Sequence, residues 1–386
     1  MKNGALTGLT VIDMSRLLPG PYCSMILADH GARVISIEDK RFTADGLFIT
    51  TVNRNKEHMS LDLKTSEGKE IFFRLIRQAD ILLEGFRPGV MDRLGIGYDT
   101  VKQINPGIIY CAITGYGQNG PYRDRVGHDV NYLSVAGVLD LIGEADRPPS
   151  IPGIQIADIA GGGMNAVIGI LLALVARNQT GNGQYIDISM TDGMVGFLSL
   201  PLFFRQVSGQ APSRSDGVLS HRYACYNTYE TADGRYLSIG AVENRFWKRL
   251  CEHFGVPEYA ALQYDDTQRE AIITHMRDRF RKKTLAEWES DLGDMDICWA
   301  KVQNMAEMLE DPMLRAREMV VDVPDRFGTP RPEPGIPVKL SDTPGSIRKP
   351  AVGFGQSTAA ILQELGYTME QIEALHKNGA IYCSTM

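Results

Sequence analysis

The sequence has no excess of basic residues, no long apolar run and no clustered cysteines. Of its 386 residues, 40 are Lys or Arg and 47 are Asp or Glu, which gives a formal net charge of -7. A chain with this balance has no general attraction for nucleic acid or for an anionic membrane. We therefore expect no nucleic-acid partner, and any phosphate on a ligand must be bound by a local group of cations.

Two of these absences also bear on location. The longest apolar run, 166–176, has 11 residues, which is too short for a membrane-spanning helix, so we expect no membrane partner. The six cysteines lie far apart and never form a Cys-x-x-Cys motif. Neither a structural zinc site nor a disulfide framework is therefore indicated. We predict reduced thiols, no metal and a cytoplasmic location.

The first half alternates short β-branched runs with helical patterns, which is typical of parallel β/α construction. The predicted strands are 9–14, 33–37, 81–84, 108–114 and 185–190. The predicted helices among them are 22–30, 67–78 and 159–177. We predict an α/β protein with a Rossmann-like, doubly wound sheet, in which ligands bind beyond the carboxyl ends of the strands.

Composition changes after Gln206, because 207–225 is rich in Ser, Gly and Pro and predicts a linker. Two short strands, 226–230 and 236–240, flank an Asp-Gly turn and predict a hairpin, and three amphipathic helical patterns follow. We therefore predict four regions. They are a large Rossmann-like domain (1–206), the linker (207–225), a small α+β domain (226–320), and an extended return segment with a C-terminal helix packed on the large domain (321–386).

The segment Gly115-Tyr116-Gly117-Gln118-Asn119-Gly120 fits the pattern G-x-G-x-x-G and follows a predicted strand. Its continuation, 121–125, does not open a helix, so the helix N-terminus that would bind a dinucleotide phosphate is missing. The pattern therefore favours a glycine loop over a nicotinamide or flavin site.

Further along, His128 stands in Gly127-His128-Asp129-Val130-Asn131-Tyr132, between a strand and an apolar helix. Imidazole exchanges a proton near neutral pH, although a packing or capping role is the alternative for a single histidine. Asp158 follows 30 residues later, at the start of an apolar helix. An N-cap role is the alternative explanation for Asp158.

Three glycines, 161–163, follow Asp158 in what we predict to be the first turn of this helix. Each costs about 1 kcal/mol of helix stability relative to alanine. We interpret them as space for a large group to approach the backbone. Their amides are then candidate donors to a developing oxyanion.

These residues resemble a known family. Leu9–Arg16 with Pro19-Gly20-Pro21, Asn53-Arg54-Asn55-Lys56, 79–90, and Thr114-Gly115-Tyr116-Gly117 are similar to motifs of the class III CoA-transferase, or CaiB/BaiF, family. The motif around His128, together with Asp158, resembles the α-methylacyl-CoA racemase branch. The resemblance runs almost from end to end.

The resemblance implies a function for several residues. His128 and Asp158 would be the two acid/base groups, and Glu243 would pair with the histidine. Taken alone, Glu243 is better explained as a solvated carboxylate that caps the helix beginning at Asn244. The resemblance further implies a ring-shaped chain in an interlocked homodimer, with an acyl-CoA thioester as the substrate. Coenzyme A would be part of that substrate, and no cofactor would be required.

An acidic protein needs local cations to bind the CoA phosphates. Arg87 and Arg93 bracket a turn after a predicted strand, and Arg54 and Lys56 are predicted to lie in a polar loop. Many family members have an arginine after the second strand, where this chain has Glu38-Asp39-Lys40-Arg41, so Lys40 or Arg41 would replace it. The predicted CoA-binding residues are Lys40, Arg54, Lys56, Arg87, Arg93 and Tyr132.

We therefore expect a racemase or epimerase that inverts the α-carbon of 2-methyl-branched acyl-CoA thioesters by two-base proton transfer through an enolate. The alternative is a class III CoA-transferase in which Asp158 is the nucleophile. Transferases of this family usually lack the histidine at position 128, which favours the racemase. A third possibility is an acyl-CoA-binding protein without turnover.

Overall fold

The computed structural model describes residues 4–44, 49–325 and 327–384. The strands are β1 (Thr10–Met14), β2 (Arg33–Glu38), β3 (Lys56–Leu61), β4 (Ile81–Glu84), β5 (Ile109–Thr114), β6 (Tyr185–Ser189), β7 (Tyr226–Glu230), β8 (Tyr236–Gly240), β9 (Trp299–Lys301), β10 (Val320–Pro324), β11 (Pro330–Pro334) and β12 (Ile381–Tyr382).

The α-helices are α1 (Pro19–Asp29), α2 (Ser66–Ile76), α3 (Val90–Arg93), α4 (Tyr98–Ile104), α5 (Asp129–Val135), α6 (Asn165–Thr180), α7 (Met190–Gly196), α8 (Ser199–Ser208), α9 (Asn244–His253), α10 (Arg269–Phe280), α11 (Leu285–Leu292), α12 (Met305–Glu310), α13 (Pro312–Ala316), α14 (Thr358–Glu364) and α15 (Met369–Lys377). A π-helical segment, Ala157–Met164, leads directly into α6. Short 3₁₀ helices cover Lys40–Ala44, Thr50–Val52, Leu139–Leu141 and Pro257–Ala260.

A sheet of seven strands in the described part of the chain confirms the α/β class. Its order is β12-β3-β2-β1-β4-β5-β6, and all neighbours are parallel except β12 and β3. Every residue of β4 and β5 is buried, as expected when helices cover both faces of a parallel sheet. The loops that follow β1, β2, β4 and β5 therefore meet at one edge of the sheet, where ligands bind in such folds.

The sequence pattern did not predict β3, because its buried positions carry polar side chains. Lys56, His58 and Ser60 are all nearly inaccessible. The Gly355 N–H donates to Nδ1 of His58 at 3.0 Å, and the Ser60 N–H donates to Oγ1 of Thr358 at 3.1 Å. The loop 355–358 therefore docks on β3 and provides partners for two of its polar groups, although it lies about 300 residues away in sequence.

The chain divides into two compact units. One comprises Met1–Ala136, Pro152–Phe197 and Pro312–Met386, and the other comprises Gly137–Ile151 and Leu198–Asp311. These boundaries differ from the predicted ones, because α8 and a segment from the first half belong to the smaller unit. Arg214 donates to the Asp140 carboxylate at 2.9 Å, and Ser215 donates to the Gly143 carbonyl at 2.6 Å. The predicted linker therefore holds 137–151 within the smaller unit.

The smaller unit contains an antiparallel sheet of order β7-β8-β9. The hairpin β7–β8 has the predicted bounds, and Gly234 in its turn has φ +70°, which the missing side chain permits. Helices α9, α10 and α11 pack on this sheet around Trp247 and Trp288, both about 1% exposed.

The helical run Ala157–Thr180 is longer than the apolar run in the sequence suggests. It has 24 residues, and by length and composition alone it is one described helix that could cross a membrane. The core helix of a water-soluble domain passes the same test. Here Ala166, Ile170 and Ala173 are buried, whereas Ile168, Leu172 and Val175 are more than half exposed.

Candidate active site

His128 stands immediately before α5. Its backbone is extended (φ -130°, ψ 176°), its N–H donates to Oδ1 of Asn131 at 3.0 Å, and its carbonyl accepts the Asn131 N–H at 2.8 Å. These bonds define the beginning of α5. The backbone of His128 is therefore held in place while its side chain is exposed to solvent.

Tyr132 supports the loop that carries His128. Its hydroxyl donates to the Gly127 carbonyl at 2.5 Å, and its ring lies 5.3 Å from that of Tyr116 in an edge-to-face contact. Burial raises the Tyr132 pKa to about 12. Because its hydroxyl is bonded within the protein and only 6% of the residue is exposed, Tyr132 does not fit the prediction that it binds CoA.

Asp158 lies in the π-helical segment, whose N-cap is Ile156, so the N-cap explanation for Asp158 is wrong. The peptide N–H of Asp158 donates to Oδ1 of Asp129 at 2.9 Å. Burial, followed by the charge of Asp129, raises the Asp158 pKa to about 6, and His128 opposes this rise. The structure therefore brings His128 and Asp158 close enough for their charges to interact.

The three glycines after Asp158 make room for the protein itself. A Cβ on Gly161 would lie 2.6 Å from the Met190 carbonyl oxygen, one on Gly162 would lie 2.9 Å from Cβ of Pro19, and one on Gly163 would lie 2.9 Å from the Pro19 carbonyl oxygen. These positions pack against α1 and α7 and are buried. The interpretation of these glycines as space for a large ligand group is therefore wrong, and the role of their amides as oxyanion donors stays a prediction.

The glycine loop after β5 agrees with the interpretation that excluded a dinucleotide site. Gly117 and Gly120 have φ +84° and +82°, residues 121–124 form turns, and no helix begins before Asp129 in this described stretch. Arg123, which the sequence reasoning missed, donates from Nε to the Gln118 carbonyl at 2.9 Å. Arg123 follows the carboxyl end of β5, and this position is the sequence signal that could have identified it.

Arg54 lies in the turn before β3, as predicted, whereas Lys56 is the first residue of β3, so its predicted place in a loop is wrong. Arg54 is 1% exposed and donates from Nη2 to Oδ2 of Asp29 at 2.8 Å. Lys56 opens β3, and its Nζ donates to the Pro21 carbonyl at 2.8 Å and lies 3.7 Å from Oδ2 of Asp13. Burial lowers the Lys56 pKa to about 8. Both cations are used inside the protein and are not accessible to ligand phosphates.

Arg87 and Arg93 are exposed and follow the carboxyl end of β4, as predicted. A Cβ on Gly89 would lie 3.3 Å from Nη1 of Arg93 and 3.6 Å from Nη2 of Arg123. The guanidinium groups of Arg93 and Arg123 therefore reach the same space above the Gly89 backbone. Planar donors converging in this way suit an anion such as a phosphate.

At the end of β2, Glu38 pairs with Arg16, whose guanidinium lies 3.4 Å from the centroid of the Phe42 ring. Arg16 is thus a second cation that sequence reasoning missed, although it lies in a quoted motif. Lys40 begins the neighbouring 3₁₀ helix, and Arg41 pairs with Asp39 at 2.8 Å. Nζ of Lys40 lies 2.8 Å from the position that a Cβ on Gly379 would occupy, and its contact with CoA stays a prediction.

Glu243 precedes α9 and is exposed, and its side chain makes no capping hydrogen bond to that helix. The capping part of the alternative explanation is therefore wrong. Glu243 belongs to the smaller unit and His128 to the larger one. Their pairing stays a prediction.

The chain is similar to known proteins over nearly its whole length. The model for "CoA-transferase family III" matches residues 6–358. Alpha-methylacyl-CoA racemase of Mus musculus is 36% identical over 375 residues, which is 97% of this chain and 96% of that protein. Succinyl-CoA:mesaconate CoA-transferase of Haloarcula hispanica is 32% identical, over 94% of this chain and 97% of that protein.

Among solved structures, a CaiB/BaiF family protein from Brucella suis is similar to this chain with a TM-score of 0.83 and 31% sequence identity. The match covers 94% of this chain and all of that one. The length of these matches and the agreement in fold lead to one conclusion. The chain belongs to CoA-transferase family III.

Proposed function

We propose that this protein is a racemase or epimerase that inverts the α-carbon of 2-methyl-branched acyl-CoA thioesters. The observation that carries the proposal is the juxtaposition of His128 and Asp158, with the Asp158 pKa raised to about 6. Imidazole groups ordinarily titrate near ~6.5. An aspartic acid that titrates in the same region can both remove and return a proton near neutral pH, as racemisation requires.

In one direction, the imidazole of His128 removes the α-proton and the protonated carboxyl of Asp158 delivers a proton to the opposite face. In the other direction, the Asp158 carboxylate is the base and the imidazolium is the acid. Each turnover leaves both groups with the protonation state of the reverse reaction, so no net proton is consumed. The intermediate is an enolate of the thioester. Neither a metal nor an additional cofactor has a part in these steps.

Arg93 and Arg123 provide local positive charge for the phosphates of the CoA group, and Arg87 lies in the loop between β4 and α3, the helix that ends at Arg93. Together these three arginines form a local cationic site for phosphate on a protein whose net charge is -7. Glu243 would orient the imidazole by accepting its second N–H, as in other carboxylate–histidine pairs.

A CoA-transferase is the second candidate, because transferases of 32% identity match nearly the whole chain. The Asp158 carboxylate would attack the thioester carbonyl to form a mixed anhydride and release CoA thiolate. The thiolate would then attack the anhydride to give an enzyme thioester and free acid. Against this candidate stands His128, which such a mechanism does not need.

Deuterium exchange distinguishes the two reactions. A racemase incubated in deuterium oxide with one enantiomer of a 2-methylacyl-CoA incorporates deuterium at the α-carbon without any acceptor acid. We expect exchange together with loss of optical purity, measured by mass spectrometry and chiral analysis of the hydrolysed acid. Absence of exchange would overturn the proposal.

A transferase has a different signature. If Asp158 forms an enzyme thioester, hydroxylamine added with acyl-CoA inactivates the protein and leaves a hydroxamate at Asp158. Peptide mapping of that adduct, without α-exchange, would establish the transferase. Absence of both signatures would point to a binding protein.

Assembly and location are proposed on the same basis. We propose an interlocked homodimer, since Ile168, Leu172 and Val175 leave an exposed apolar face on α6 that a second copy could cover. Light scattering should give twice the chain mass of 42.7 kDa. All six cysteines are free and five are buried, which supports a cytoplasmic location.

A further inference from the structure

Asp129 has a second connection to the site besides its position next to His128. It is the first residue of α5, and its Oδ1 accepts the peptide N–H of Asp158 at 2.9 Å across 29 residues of sequence. The same residue thus touches the two segments that carry the acid/base pair. Two segments far apart in sequence are joined here by a bond to a charged acceptor, which is stronger than a neutral bond.

The surroundings make this bond effective. The π-helical segment packs against α1 and α7 through Gly161, Gly162 and Gly163, so its body is fixed. Its first turn, which carries Asp158, is less buried. The carboxylate of Asp129 holds this turn at the beginning of α5.

We propose that Asp129 is a positioning residue, which holds the first turn of the π-helical segment so that the Asp158 carboxyl stays opposite His128. This inference rests on the proposed racemase function and adds a residue to it. The side chain of Asp129 accepts the Asp158 N–H, so its proposed role is indirect. It acts through the Asp158 backbone and through its own negative charge.

The negative charge of Asp129 raises the pKa of Asp158, and this direction matters for catalysis. Burial is the first cause of the raised Asp158 pKa, Asp129 adds to it and His128 opposes it, and Asp158 in turn raises the pKa of Tyr132. Asp129 disfavours the ionised form of Asp158, and His128 favours it. Asp129 therefore keeps a larger share of Asp158 protonated at neutral pH, in the form that delivers a proton.

Direct titration of Asp158 tests the electrostatic part without any reaction. In protein labelled with ¹³C at aspartate carboxyls, Asp158→Asn identifies the Asp158 resonance. Asp129→Asn preserves an oxygen acceptor for the Asp158 N–H but removes the charge. We expect the Asp158 pKa to fall by about 0.5–1 unit in this variant. An unchanged titration would overturn the proposal.

The matched control is Asp99→Asn. Asp99 is also an acid in the first turn of a seven-residue helix, α4, and it is exposed. It has no bond to the π-helical segment. This variant should leave the Asp158 titration and the reaction unchanged.

Kinetics test the positioning part. Asp129→Ala removes both the charge and the acceptor, and we expect kcat to fall about 10–100-fold with KM for the acyl-CoA nearly constant. Asp129→Asn should retain most of kcat at the pH optimum, and in the direction in which Asp158 delivers the proton it should move the alkaline limb of the pH profile to lower pH. A fall of kcat in Asp129→Ala that Asp129→Asn does not rescue, or a rise of KM alone, would contradict the proposal. Since the ¹³C titration requires no turnover, failure of this inference and failure of the racemase function are distinguishable.

Discussion

Two groups of charged side chains in the larger unit differ in how the protein uses them. In the first, Arg54 and Asp29 are 1% and 3% exposed, and Asp29 also accepts a bond from Asn55 at 2.7 Å. In the second, His128 is exposed and Asp158 is only partly buried. The first group has its hydrogen bonds completed by the protein. In the second group, the imidazole of His128 and the carboxyl of Asp158 remain accessible to a ligand.

The difference follows from the cost of removing charge from water. A buried ion pair is tolerated when nearly every donor and acceptor is bonded, and its loss leaves an uncompensated charge. A group that must exchange protons with a ligand cannot be satisfied in this way, and its titration is displaced toward the working pH. The cost of removing charge from water therefore has two different results. Arg54 stays charged because Asp29 pairs with it, whereas the pKa of Asp158 is raised.

The largest expected effect is on catalysis. His128→Gln and Asp158→Asn each remove one acid/base group, and we expect racemisation to fall by about 10³-fold or more. Thermal unfolding should change little for His128→Gln, because the side chain is exposed. The measurement is chiral analysis of product over time.

The two variants should differ in which enantiomer still exchanges its α-proton, because the remaining base lies on a different face in each. Each retains one base, so α-deuterium exchange from one enantiomer should persist in part while inversion is lost. If either variant racemises at the rate of the unmodified protein, the assignment of the pair is incorrect.

The second effect is on stability. Arg54→Ala leaves Asp29 buried without its ion pair and frees the Pro334 carbonyl. We expect the free energy of unfolding to fall by about 3 kcal/mol, measured by urea denaturation. Arg74→Ala is the control, because Arg74 forms an exposed pair with Glu70, and such pairs contribute about 0.5 kcal/mol or less. Equal losses in both variants would remove the distinction between the two groups.

The same contrast explains what the sequence could and could not reveal. The β-branched runs and the Asp-Gly turn predicted most strands of the seven-stranded sheet and of the sheet β7-β8-β9, because their information is local. The sequence also indicated His128 and Asp158 as the candidate pair. It could not show that Arg54 is paired with Asp29, since a motif lists residue types and not their partners.

Other features depend on long-range packing and could not be predicted from the local sequence. The glycines at 161–163 were interpreted as space for a ligand, although their neighbours belong to α1 and α7. The strand β3 was missed because the partners of His58 and Ser60 lie in the loop 355–358. In both cases the deciding contact comes from a segment distant in sequence.

A third, smaller effect concerns the packing under Asp158. A Cβ in Gly162→Ala would lie 2.9 Å from Cβ of Pro19 and 3.0 Å from Cγ of Met190. We expect a loss of about 2 kcal/mol from overpacking, together with reduced racemase activity per folded molecule. Gly196→Ala is the control, since its Cβ would meet nothing within 4 Å. If Gly162→Ala is as stable as Gly196→Ala, the glycines do not serve close packing.

The smallest effect is the pH dependence that Asp158 gives to stability. Its pKa is raised from 3.8 to about 6 in the folded protein, so between these values the folded state binds more protons than the unfolded state. Stability from this group is therefore present at low pH and lost as pH rises through 6. Asp158→Asn removes that loss and should be more stable than the unmodified protein by about 1 kcal/mol at pH 7, since partial exposure screens the effect. Urea denaturation across the pH range should show the difference vanishing below about pH 4. A difference that instead grows toward acid pH would mean that Asp158 is stabilised as a carboxylate, like the ion-paired acids of the buried group.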